Sequence, residues 1–143
     1  MDARDIVIVK NNEGFETKIY SGNHTWNADE TVSDGGTDTG PNPYDLLLSA
    51  LGSCKAITMR MYASRKNIPL EAVTIKLSHK KIYAEDCLSC ETKEGKIDNI
   101  IVGISFVGNL TEEQKKSLFN IAEKCPVHKT LISEVQIISS LDG

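Results

Sequence analysis

The spacing of apolar residues divides the chain into stretches of different period. Ile6 to Val9 is β-branched and Phe15 to Tyr20 is rich in aromatic and β-branched residues, with Asn11-Asn-Glu-Gly14 between them as a turn signal. The pair predicts a hairpin. Ser21-Gly-Asn23 marks a second turn and His24 to Ala28 a third strand. From Asp29 to Gly40 the chain mixes Gly35, Gly36 and Gly40 with Asp, Ser and Thr, which is loop chemistry. The pattern then changes. Tyr44 to about Lys66 holds no proline, is made mostly of good helix formers, and places apolar side chains on nearly every face: Leu46, Leu47, Leu48, Ala50, Leu51, Ala56, Ile57, Met59 and Met61. That predicts a long helix buried all round. Pro41 and Pro43 allow it to begin there but not to run back through them.

Past Asn67-Ile-Pro-Leu70 the period becomes two. Val73, Ile75 and Leu77 alternate with Thr74, Lys76 and Ser78, and a second alternation runs through Ile100, Val102, Ile104 and Phe106. Joined by the polar loop Glu85 to Gly95, they predict an antiparallel pair. Thr111-Glu-Glu-Gln114 is a capping-box pattern, and Leu118, Ile121, Ala122 and Cys125 follow it at helical spacing. Pro126 breaks that helix and starts a short one through Leu131, while Val135, Ile137 and Leu141 predict a closing strand. The order is three strands, a long helix, two strands, two helices and a strand. This is an α+β chain. Its 143 residues predict a single domain, residues 1–143. The long helix asks for more cover than one small sheet supplies, so an obligate homodimer is expected.

Composition narrows the function classes. A net charge of -4 with scattered Lys and Arg argues against nucleic acid or an anionic membrane as partner. No apolar run approaches the roughly 20 residues of a membrane span, and Met1-Asp-Ala-Arg-Asp5 opens no secretory leader. The expected location is the cytosol. There, four cysteines are read as catalytic, metal-binding or buried rather than permanently bridged.

Cys54 lies on a helical stripe with Leu47, Ala50, Leu51, Ile57, Thr58 and Met61. It reads either as a core cysteine or as a nucleophile at the floor of an apolar pocket. With the helix starting near Pro43, Cys54 is on the order of 16 Å from its beginning, beyond the reach of the helix dipole. A neighbouring cation would have to favour the thiolate. Cys125 precedes Pro126, a preferred first helical residue, which sets it at an N-cap where backbone N–H groups favour a thiolate. By that local argument it is the more easily ionised thiol, with His128 on the same face. The alternative is a boundary cysteine ending one apolar stripe, beside an ordinary surface histidine. Cys87-Leu-Ser-Cys90 is a lone CxxC in a loop; half a zinc site completed by His79 or by a partner chain is the metal reading.

Gly40-Pro-Asn-Pro-Tyr-Asp-Leu-Leu-Leu-Ser-Ala-Leu-Gly-Ser-Cys54 and Lys124-Cys-Pro-Val-His128, in this order with a strand pair between them, resemble the OsmC/Ohr family of thiol peroxidases. The stretches His24 to Glu30, Asp86-Cys-Leu-Ser-Cys-Glu91 and Ile121 to Leu131 are similar to its OsmC-like redox-protein branch. The resemblance implies an OsmC-like fold, with antiparallel sheets wrapped around a long buried central helix, as an intertwined homodimer with active sites at the interface. It implies Cys54 as the peroxidatic thiolate, Cys125 as the resolving thiol, no cofactor, a peroxide substrate and an external dithiol reductant. Members of the family pair a glutamate ten residues before the peroxidatic cysteine with an arginine from the N-terminal sheet. Here Tyr44 holds that position with Asp45 beside it, and the N-terminal arginine is Arg4. Lys10, Lys18 and His24 are the other candidates for the activating charge. Two further readings stay open: a redox sensor or thiol-binding module with little turnover, and a metal-binding protein using Cys87 and Cys90.

Overall fold

The structure, a computed structural model, describes residues 6–142. It is mixed α and β with antiparallel sheets and three α-helices. Backbone packing groups the chain into two compact units that divide between Leu47 and Leu48. Arg4 lies outside the described residues.

The first unit holds a three-stranded antiparallel sheet of β1 (Ile8–Asn11), β2 (Thr17–Ser21) and β3 (His24–Ala28), in that order. β1 and β2 sit two residues later than their apolar runs at the N-terminal end. Asn11, the last residue of β1, pairs with Thr17 across the ladder. Its Nδ2 donates to Gly14 O at 3.0 Å, Glu16 O at 3.2 Å and Thr17 Oγ1 at 3.1 Å, which draws Asn11 into the strand and closes the turn. Gly14 adopts φ +62° in that turn, where L side chains are strained.

After β3 the loop winds around one buried carboxylate. Asp29 is 2% exposed and accepts five bonds: from Thr39 Oγ1 (2.7 Å), Thr37 Oγ1 (2.8 Å), and the backbone N–H of Glu30 (2.7 Å), Thr39 (3.1 Å) and Thr37 (3.4 Å). The Thr39 hydroxyl is the largest influence holding this carboxyl well below the usual range; burial opposes it, and the Thr37 hydroxyl and backbone donors outweigh that opposition. At the end of the loop α1 (Pro43–Lys66) begins with Pro43. Asn42 Oδ1 accepts from Asp45 N at 2.8 Å and Asp45 Oδ2 from Asn42 N at 3.1 Å, a reciprocal cap.

The second unit contains the rest of α1, β4 (Ala72–Tyr83), β5 (Lys96–Val107), α2 (Glu112–Ala122) and α3 (Pro126–Ile132). α1 stops at Asn67, which takes φ +54° and lets Ile68 N–H reach Ala63 O at 2.9 Å. The β4–β5 ladder is longer than apolar alternation suggests. Its polar end is carried by Asp98, which faces His79 Nε2 at 2.8 Å and Lys81 Nζ at 3.0 Å on the neighbouring strand. Thr111 and Gln114 close both bonds of the capping box on α2. Met59 and Ala63 of α1, Leu70, and Leu118 and Ala122 of α2 form the core, with Val73, Ile75, Ile104 and Phe106 of the strands packed against it.

Within this chain α1 is covered on one side: Leu51, Gly52, Lys55, Met59 and Ala63 are buried, but Ile57 is 60% and Met61 68% exposed. One expectation changes: no closing strand forms among the described residues. Residues 134–142 have no regular structure, pair with no strand edge among the described residues, and expose Ile137, Ile138 and Leu141.

Because the folded-state pKa of Asp29 lies below its unfolded value, its stabilisation is complete above the ordinary carboxyl range of about pH 4. It is lost as pH falls toward the depressed folded value. Asp29→Asn is expected to lower stability at neutral pH and flatten the acid limb, read by fluorescence of the single tryptophan, Trp26 of β3. Leu118→Ala, at a fully buried position, is expected to cost about 2–5 kcal/mol in urea unfolding.

Candidate active site

Three helices bring the two free cysteines together. Cys54 is half-buried on α1, and Cys125 is fully buried at the corner between α2 and α3. Cys54 stands near enough to Cys125 to influence the ionisation of its thiol. The corner follows from local sequence. Pro126 cannot continue α2 and is well suited to the first turn of α3, so Cys125 becomes the N-cap. Its Sγ accepts the His128 backbone N–H at 3.4 Å. On α1, Gly52 permits the close approach to β4: a Cβ there would stand 2.8 Å from Leu77 Cδ1.

Beneath the cysteines lies a residue that sequence reasoning missed. Lys55 is 0% exposed. Its Nζ donates to Ala122 O at 2.9 Å, lies 2.8 Å from His128 Nδ1, and stands 3.6 Å from Glu123 Oε1. An ammonium has no acceptor, so the short contact makes Nδ1 the acceptor and leaves the imidazole proton on Nε2. The signal was present in the sequence. Leu51, Lys55, Met59 and Ala63 recur every four residues on one face of α1, and a lysine in such a stripe is inside the fold.

Burial is the largest influence on Cys125 and pushes its thiol above the ordinary range. The His128 N–H acts the other way; the neighbouring Cys54 adds to the rise, and Lys55 again opposes it. The expectation that the N-cap favours the Cys125 thiolate is therefore corrected: one backbone donor does not offset complete removal from water.

In the first unit, Tyr44 and Asp45 sit on the first turn of α1, where Asp45 closes the cap. His24 is exposed at the start of β3, opposite Ser21. Lys10 and Lys18 face each other across β1 and β2, with Lys10 Nζ 5.6 Å from the Tyr20 ring centre. Within the second unit, Lys55 is a cation close enough to act on the Cys125 thiol. Cys87 and Cys90 are joined in a disulfide, against the expectation of unbridged cysteines, and His79 is engaged with Asp98. Among the described residues no group of three or more His, Cys, Asp and Glu side chains is placed to hold a metal. No described helix is long and apolar enough to cross a membrane.

The OsmC-like protein family model matches residues 36–140, and the chain belongs to that family. No curated protein sequence matches significantly. Among solved structures, an OsmC-like protein from Mycoplasma pneumoniae superposes with a TM-score of 0.70 at 19% identity, over 88% of this chain and 85% of that one. The organic hydroperoxide resistance protein OsmC of Legionella pneumophila gives 0.62 at 19% identity, over 89% and 88%. The organic hydroperoxide resistance protein OhrB of Bacillus subtilis gives 0.59 at 20%, over 89% of each chain. These likenesses establish an OsmC/Ohr fold.

Cys54→Ser is expected to bring the ionisation midpoint of Cys125 down, because a neighbouring thiolate charge disappears; Lys55→Met is expected to send it up in the same background. Ultraviolet thiolate absorbance against pH measures both, and an unmoved midpoint in both variants would contradict the arrangement.

Proposed function

We propose that the chain serves in peroxide defence as a cofactor-free thiol peroxidase, with Cys54 as the attacking thiol and Cys125 as the resolving one. The observation that carries this reading is the nearness of Cys54 to the buried Cys125, with the buried Lys55 close enough to act on the same thiol. Family membership and the organic hydroperoxide resistance proteins among its structural neighbours support the same class of chemistry.

In the proposed cycle the Cys54 thiolate attacks one oxygen of a hydroperoxide. The O–O bond breaks, the departing alkoxide takes up a proton and leaves as an alcohol, and Cys54 becomes a sulfenic acid. Cys125 then attacks the Cys54 sulfur. The S–O bond breaks, hydroxide leaves with a proton as water, and a disulfide joins the two. An external dithiol reduces it and is itself oxidised to a disulfide. Burial suits Cys125 to the second step, since its thiol stays protonated and out of reach of peroxide while Cys54, half-buried, meets the substrate. Lys55 supplies positive charge to the pair, the part sought among Arg4, Lys10, Lys18 and His24, and His128 holds its ammonium in place. The exposed Ile57 and Met61 on α1 are the apolar surface that a second copy would cover, so the working form is a homodimer.

The test is consumption of cumene hydroperoxide and H2O2 with a dithiol reductant. Cys54→Ser is expected to fall to the rate without protein. Cys125→Ser is expected to consume one equivalent of peroxide and stop with a sulfenate that dimedone traps. Equal turnover by wild type and Cys54→Ser would end the proposal. The wild-type protein is expected to sediment at twice the chain mass, and a monomer at micromolar concentration would remove the homodimer from it.

A further inference from the structure

Cys87 and Cys90 are used by nothing in the cycle above. Their disulfide lies in the loop between β4 and β5, both residues half-buried, with Leu88 between them 95% exposed. A bridge placed there for stability would be expected to hold apart or together elements that nothing else fixes. This one does neither. The β4–β5 register runs unbroken to Tyr83 opposite Lys96, and Ala84 N–H donates to Gly95 O at 2.8 Å beyond it. The ladder closes the base of the loop before the cysteines are reached. The bridge also spans a sequence separation of only three, so it removes little freedom from the unfolded chain. The loop has its own ties besides: Cys87 N–H to Ala84 O at 3.1 Å and Lys93 Nζ to Cys90 O at 2.7 Å.

A cysteine pair that adds little to the fold, is only half-buried and has two residues between its members is suited to thiol–disulfide exchange, whose rate depends on access of the attacking thiolate to a sulfur. We propose that Cys87 and Cys90 are a second redox site, which accepts an electron pair from a dithiol reductant. One thiolate of the donor attacks a sulfur of the bridge, the Cys87–Cys90 bond breaks, and a mixed disulfide forms with one loop cysteine released as a thiolate. The donor's second thiol then displaces the other loop cysteine. The donor leaves as a disulfide, and after proton uptake Cys87 and Cys90 stand as two thiols. A dithiol completes both steps within one encounter, whereas a monothiol needs two. Both residues are half-buried where Cys125 is fully buried. The site stands whether or not Cys54 reduces peroxides.

The experiment uses the full chain carrying Cys54→Ser and Cys125→Ser, so that only the loop pair reports. The oxidised protein is equilibrated with graded ratios of reduced to oxidised dithiothreitol, quenched in acid and alkylated, and its thiols are counted by mass. The expected result is one two-thiol transition in the folded state, with circular dichroism and melting midpoint unchanged across it. Glutathione at equal thiol concentration is expected to reduce the pair more slowly. Absence of the bridge in the oxidised protein would overturn the proposal, and so would thiols that appear only in denaturant. A full chain with Cys87→Ser and Cys90→Ser is expected to melt as wild type does; a large loss would make the bridge a structural staple and overturn it as well.

Discussion

A lysine ammonium removed from water has to be met by acceptors, and the second unit is built around meeting this one. Lys55 takes the carbonyl of Ala122, the imidazole of His128 and, at longer range, the carboxylate of Glu123. Those three partners sit on the end of α2, just past it, and on α3. The Lys55 contacts therefore fasten α1 to the α2–α3 corner by polar bonds, where the remainder of the contact is apolar packing through Met59, Ala63, Leu118 and Ala122. Apolar contacts tolerate sliding. A buried charge with directed partners does not, and the residue next to it in sequence is Cys54.

Much of this was readable from residue order. The three N-terminal strands, the long helix, the paired strands and the two short helices all follow from period and punctuation, and the signals with a stated mechanism held best. Thr111 and Gln114 close their box, and Pro126 starts α3 with Cys125 as its cap. Boundaries failed where a side chain overrode the pattern. Asn11 is polar and turn-forming by type, but its three bonds across the turn make it a strand residue. His79 to Lys81 break the apolar alternation, yet Asp98 on the facing strand carries the ladder through them.

The site was less legible, for reasons that are physical. A lysine in a helix is usually solvated, so position 55 invited no attention until its place among Leu51, Met59 and Ala63 was considered. The raised pKa of Cys125 was not legible because the sequence discloses its N-cap but not the depth of its burial. The bridge between Cys87 and Cys90 ran against an inference from compartment, which addresses averages and not one exposed loop.

Gly52 has a bearing on the thiols beyond its own contact. It is the spacer that sets how deeply the helix beds against β4, since anything larger would press into Leu77. Two residues further along that same rod stands Cys54. The depth at which its sulfur rests is gauged in part by a hydrogen atom where every other amino acid would have carbon, a shim too small to notice in the sequence.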